Sequence, residues 1–331
     1  MILRPGRDDD AAAFIDLIAA CWAEYPNCPL DVDREAPELR RLASHFAKQG
    51  GALWAAEEAG ALHGMIAVQP TGNDDWEICK VYVARPSRGT GLADRLVETA
   101  ESHAKGQGAK RLHLWSDTKF DRAHRFYERH AYIRQGGIRA LADIARTLEF
   151  GYAKPAAGLV IQTLDIAAAT SAAASLGRIL VDCVNAGASV SFLPPLAPAD
   201  ATAFYRARAT DIARGHRLLL AAWLDGTLAG SVMVDLAMPP NQPHRAEIQK
   251  LLTAPAARRR GVARALMHEA ESAARAAGRT LLVLDTREGD SAEPLYRALG
   301  WTEAGRIPRF ARNAEGGLDG TVIFYRELAI A

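Results

Sequence analysis

Two rhythms of apolar and polar positions alternate along the chain. Helical spacing of apolar residues covers positions 11–22, 36–48, 92–105, 166–184, 198–214 and 262–277. Short apolar runs bounded by turn residues predict strands at 52–56, 62–68, 111–115, 159–164, 217–223, 228–235 and 280–284. A turn through Gly60 joins one hairpin, and Asp225-Gly226, a pair suited to tight hairpin turns, joins another. Gly106 and Gly278 are expected to stop the two long Ala/Leu/Glu-rich helices. The order is strand, two helices, three strands, helix, strand, helix and terminal strands, and it occurs twice. Such an order is mixed α/β and not the strict βαβ alternation of a doubly wound sheet.

The repetition extends to individual residues. Glu77-Ile78-Cys79-Lys80-Val81 is followed by Arg88-Gly89-Thr90-Gly91-Leu92-Ala93, and Glu247-Ile248-Gln249-Lys250-Leu251 by Arg258-Arg259-Arg260-Gly261-Val262-Ala263. Both copies place a glutamate on a strand ahead of R-x-x-G-x-A at the start of a long helix. Downstream, Asp117-Thr118 is expected to match Asp285-Thr286, Tyr127 to match Tyr296, and Ala131-Tyr132 to match Gly300-Trp301. Lys154-Pro155 through Gly158 reads as a linker, which predicts domains at 1–155 and 156–331.

Length and charge fit this division. The 331 residues suit two ordinary domains, and a formal net charge of +1 gives no support to a nucleic-acid or membrane binder. The excess of Arg over Lys and the abundant Ala reflect a GC-rich, bacterial composition. Cys21, Cys28, Cys79 and Cys183 are scattered without a C-x-x-C pair, so reduced thiols in a cytoplasmic protein are expected. The first residues lack a signal-peptide pattern, and no transmembrane helix is expected. The histidines His103, His113, His124 and His130 lack metal-ligand spacing, so no metal is expected.

The chemistry of the repeated motif can be argued from residue types. A helix N-terminus presents unpaired N–H groups and partial positive charge to an anion. Gly89, Gly91 and Gly261 allow close approach of that backbone, and Arg88, Arg258, Arg259 and Arg260 add charge. In the first copy Ser87 is a candidate internal cap that would compete with the anion. The motif is not a Walker loop, because no G-K-[ST] follows.

R-x-x-G-x-A between a strand and a long helix, with Y-x-x-x-G-aromatic downstream, resembles the GNAT superfamily of acetyl-CoA-dependent N-acetyltransferases. The resemblance covers each half in turn. It implies two tandem GNAT folds, each a central, mostly antiparallel twisted sheet flanked by about four helices. The second half also resembles the tabtoxin-resistance acetyltransferases. That likeness rests on Gly187-Ala-Ser-Val190-Ser-Phe192, Arg245-Ala-Glu247-Ile-Gln249-Lys250-Leu251, Leu284-Asp285-Thr286, Ile307-Pro308 and Gly316-Gly-Leu318. The first half departs from the family at Ala131, where glycine is usual.

The resemblance implies acetyl-CoA as acyl donor. Donor-binding positions would be Val81, Val83, Arg88, Gly89, Thr90, Gly91, Leu92 and Ala93 in one copy. In the other they would be Lys250, Leu251, Arg258, Arg259, Arg260, Gly261, Val262 and Ala263. An alkylamine near pKa 10.4 must lose a proton before attack, at about 4 kcal/mol at neutral pH. Glu247 and Glu77 match the family's base position, with Asp285 and Asp117 as rivals; alternatively each glutamate is a solvated carboxylate or a partner of Lys250 or Lys80. Tyr296 and Tyr127 match the tyrosine that faces the departing thiolate. Trp22, Tyr25, Cys28, Phe192 and Tyr205 fall where acceptors bind. Arg122, Arg125 and Arg129 form either a solvated helix face or a contact for an acidic substrate. The implied partner is a small-molecule, amino-acid-like amine, with no nucleic acid or membrane. The alternatives are a first copy that only binds acyl-CoA or is structural, and a protein amine as acceptor. Either a monomer with pseudo-dimeric halves or a homodimer is compatible.

Overall fold

The computed structural model describes residues 1–328. It contains two seven-stranded sheets of one topology, in two compact units. The first unit comprises 1–127 and 134–157, and the second 128–133 with the chain from 158 onward.

In the first unit the strands are β1 (Ile2–Pro5), β2 (Ala52–Glu58), β3 (Ala61–Gly72), β4 (Asp75–Val83), β5 (Arg111–Asp117), β6 (Ile133–Ala140) and β7 (Leu148–Pro155). Their spatial order is β1-β2-β3-β4-β5-β7-β6. Helices α1 (Ala11–Trp22), α2 (Leu42–Lys48), α3 (Leu92–Gly106) and α4 (Asp121–Arg129) intervene. The second unit repeats this with β8 (Leu159–Thr163), β9 (Arg217–Leu224), β10 (Thr227–Asp235), β11 (Arg245–Thr253), β12 (Leu281–Arg287), β13 (Thr302–Arg312) and β14 (Leu318–Glu327). Its helices are α5 (Ile166–Asn185), α6 (Pro198–Ala213), α7 (Val262–Ala276) and α8 (Glu293–Ala298).

The central strands are buried on both faces, so they read as continuous apolar runs rather than alternations. In β10, Val232 and Val234 face a core with Leu266, Met267 and Ala270 of α7. Met233 faces the opposite core, with Leu176, Leu180 and Tyr205. Each fully buried aliphatic side chain of this kind contributes about 1.5–3 kcal/mol. Helix α5 is long and apolar enough, by length and composition, to cross a membrane. Twelve of its residues, among them Leu176, Ile179 and Leu180, are nevertheless buried in the second unit.

Three expectations need correction. Helix α3 runs through Gly106, and the left-handed residue beyond it is Gly108 (φ 88°), the counterpart of Gly278 (φ 75°). Lys154 and Pro155 belong to β7, paired with Leu112 and Arg111, which leaves 156–158 as the connection to β8. Asp117 does not correspond to Asp285. The parallel ladders pair Asp75 with Arg111 and Arg245 with Leu281, so Trp115 stands at the position of Asp285.

Candidate active site

Two features of the second sheet open a groove. The parallel ladder between β11 and β12 ends at the pair Glu247–Val283, after which the strands have no common partners. On the other side, β10 pairs Ser231 with Leu252 and Met233 with Gln249, so Lys250 and Leu251 oppose one residue in a β-bulge. Lys250 lies in the left-handed region, at φ 51°. The first copy bulges in the same way at Lys80 (φ 53°) and Val81, and its parallel ladder ends at Glu77–His113.

In the second unit two cavities meet at this bulge. One, of about 770 Å³, is lined by Leu251–Thr253, Arg258, Arg259, Gly261–Arg264, Ala186–Ala188 and Asp290–Ala292. The start of α7 forms one wall. Its cap Gly261 is left-handed (φ 84°), with no side chain capping the helix. Arg259, also left-handed, stands where the first copy has Gly89. The other cavity, of about 480 Å³, is lined by Glu247, Gln249, Lys250, Asp285, Tyr296, Phe192 and Arg312 among others. Leu251, Ala188, Arg287, Asp290 and Ala292 line both, so they form one continuous groove.

A hydrogen-bonded chain holds Glu247. Buried Arg217 donates to Asp235 Oδ2 (2.6 Å) and to Gln249 Oε1 (2.9 Å), and Gln249 Nε2 donates to Glu247 Oε1 (3.0 Å). Sequence reasoning missed Arg217 and the role of Gln249. The available signal was Glu-x-Gln on one strand, which puts both side chains on one face. Asp285 is exposed and accepts from Thr321 Oγ1 (3.0 Å). Lys250 Nζ donates to Ser191 Oγ (3.0 Å), and burial pushes its ammonium below the ordinary lysine range. Tyr296 is buried, and desolvation raises its phenol pKa, which keeps it a proton donor. Tyr205 does not line the groove. It is wholly buried, with its hydroxyl at 3.1 Å from Ser231 Oγ.

The first copy keeps the backbone and changes the side chains. One cavity there, of about 180 Å³, is lined by Trp22, Cys28, Cys79, Lys80, Val81, Tyr82, Trp115, Phe120 and Tyr127 among others. Neither Glu77 nor residues 88–91 line it. Glu77 accepts from Gln69 Nε2 (3.0 Å). Gly91 (φ 82°) caps α3 without a side-chain bond. Ser87 is no cap either: its hydroxyl is 2.8 Å from His63 Nδ1. Arg88 is folded inward, donating to Val83 O (3.0 Å) and pairing with Glu24 (2.7 Å). Arg122 pairs with Glu24 as well (3.1 Å). Of the residues near acceptor positions, Trp22 and Cys28 line this cavity, and Tyr25 packs on Phe120 with ring centroids 4.5 Å apart.

The model of the acetyltransferase (GNAT) family matches this chain twice, over residues 13–132 and 189–301. The chain belongs to that family, with one copy of its fold in each half. An uncharacterized N-acetyltransferase of Escherichia coli K12, YjgM, is 30% identical over 95 residues. That alignment covers 28% of this chain and 57% of YjgM, little more than half of its length. Among solved structures, yncA of Salmonella typhimurium, determined with its cofactor acetyl-CoA, aligns at 18% identity and a TM-score of 0.44, over 53% of this chain and 96% of that one. A GCN5-related N-acetyltransferase from Kribbella flavida aligns at 22% identity and a TM-score of 0.43, over 52% of this chain and 98% of that one.

Proposed function

We propose that the second copy transfers acetyl from acetyl-CoA to the amine of a small amino-acid-like molecule, by direct attack in a ternary complex. The observation that carries this reading is the continuous groove, with an uncapped helix start at one end and Glu247 and Asp285 at the other. The donor's pyrophosphate would rest on the N–H groups at Gly261–Ala263, with Arg258 and Arg259 beside it. Its thioester would reach the bulge at Lys250–Leu251. The acceptor would lie in the second cavity, where Lys250 and Arg312 can face a carboxylate and the acidic residues can face an ammonium.

Attack forms the N–C bond and breaks the C–S bond. Glu247, directly or through water, takes the amine proton, and Tyr296 donates a hydrogen bond to the departing thiolate. Burial of Tyr296 makes full proton transfer to sulfur more costly, so hydrogen bonding is its main contribution. The Arg217–Gln249 chain fixes the direction in which Glu247 points.

The test is thiol release from acetyl-CoA against a panel of amines. Small amines bearing a carboxylate should be the best substrates, and their amidated analogues should lose about tenfold or more in kcat/KM. Equal turnover of peptide N-termini or lysine side chains would overturn the small-molecule assignment.

A further inference from the structure

Matching hydrogen bonds align the two copies behind the helix start, although Gly187 is left-handed (φ 84°) and its counterpart Tyr25 is not. Cys21 Sγ lies 3.7 Å from Val83 O, and Cys183 Sγ lies 3.3 Å from Thr253 O. Tyr25 N donates to Trp22 O, and Gly187 N to Val184 O. In this register Glu24 corresponds to Ala186 and Tyr25 to Gly187. Arg122 falls in the turn that is Ser291–Ala292 in the second copy, and Phe120 N bonds Asp117 O as Asp290 N bonds Arg287 O.

The counterparts Ala186, Gly187, Asp290, Ser291 and Ala292 all line the 770 Å³ cavity, and their side chains are small or short. A methyl group added at Gly187 would meet nothing within 4 Å. In the first copy the corresponding positions carry Glu24, Tyr25, Phe120 and Arg122, with Glu24 and Arg122 on the surface. Glu24 bridges Arg88 Nη1 (2.8 Å) and Arg122 Nη2 (3.1 Å). The equivalent of Arg88, Arg258, is exposed. The two guanidinium groups hold the Glu24 carboxyl below its usual range, so it is an anion at neutral pH.

We propose that Glu24 is a built-in anion closing the donor groove of the first copy, so that the residue behind the first helix, Glu24 or Ala186, decides which copy takes up acyl-CoA. This rests on reading the second-copy groove as the donor site. A carboxylate in such a groove repels the donor's phosphates. It also engages the arginine that would meet them. The chain then has one donor site although it carries the motif twice.

Calorimetric titration of the full chain with acetyl-CoA tests this. The intact protein should bind one equivalent, and Gly261→Glu none. In the Gly261→Glu background, Glu24→Ala should restore one site. Because Glu24→Ala leaves Arg88 and Arg122 facing each other, the pair Glu24→Ala with Arg122→Ser is titrated in parallel. Conversely, Ala186→Glu alone should weaken binding at least about 30-fold. Two sites in the intact chain, or no site restored by either opening variant, would overturn the role of Glu24. No binding by the intact chain would instead sink the donor-groove reading, before Glu24 is touched.

Discussion

At the bulge and the helix start the two halves share a backbone down to single left-handed residues, yet they present different chemistry. Lys80 and Lys250 bulge alike, and Gly91 and Gly261 cap their helices alike. Around those frames, Gln249 is replaced by Cys79, Asp285 by Trp115, Asp235 by Gln69, and Ala186 by Glu24. Arg217, which anchors the chain to Glu247, has Gly51 as its counterpart, where a β-carbon would come within 2.4 Å of Val68 O. Main-chain geometry is set by strand pairing and sheet packing, which the duplicated core preserves. The side chains in the groove are held by few partners and can differ without disturbing that core.

The largest test of this contrast is the base. Glu247→Gln should lower kcat about 10²- to 10⁴-fold, whereas Glu77→Gln should leave turnover unchanged; comparable losses from both would mean that both copies catalyse. Next come the tyrosines. Tyr296→Phe should cost about 10- to 100-fold in kcat with little change in the donor's KM, and Tyr127→Phe should not affect the rate. A smaller effect is expected from Gln249→Cys, which writes the first-copy residue into the second. Losing one hydrogen bond to Glu247 should cost about 1 kcal/mol, a several-fold fall in kcat read by steady-state kinetics.

The smallest expected difference is in stability against acid. His124 in α4 corresponds to Glu293 in α8. Burial lowers the pKa of His124, so the folded state binds its proton less readily than the unfolded one. Its contribution is complete above about pH 6.5 and is lost as pH falls towards the depressed folded value. The Gly289 N–H and Arg297 lower the Glu293 pKa, so its contribution persists until pH falls below the ordinary carboxylate range. Hydrogen exchange between pH 7 and 5 should therefore loosen α4 before α8, and His124→Gln should remove that difference.

Much of this organisation is legible in the sequence, because each motif occurs twice. The helix limits of α1 and the R-x-x-G-x-A turns follow from periodicity and glycine placement. The Asp117–Asp285 match failed because two Asp-Thr pairs at similar distances from a glycine hide a two-residue slip, and only the parallel ladder fixes the register. The Arg217–Gln249–Glu247 chain spans two non-adjacent strands, so no local pattern announces it. The closure by Glu24 was hidden for the same reason: a carboxylate just past α1 acquires meaning only when Arg88 and Arg122 arrive from distant segments. Ala131, where the family has glycine, does adopt the left-handed backbone (φ 64°), as Gly300 does (φ 79°). Sequence thus marked the position correctly but not that an alanine would tolerate it.

The apolar helix α5 has a consequence in time rather than in space. It leaves the ribosome complete at Asn185, but β9, β10 and β11, which cover it, are finished only at Thr253, roughly 70 residues later. At a synthesis rate of about 5–20 residues per second, that interval lasts several seconds. For that period the newborn chain carries a long, water-averse helix with its sheet still unmade, and the pace of synthesis, far slower than the pairing of a hairpin, sets how soon that exposure ends.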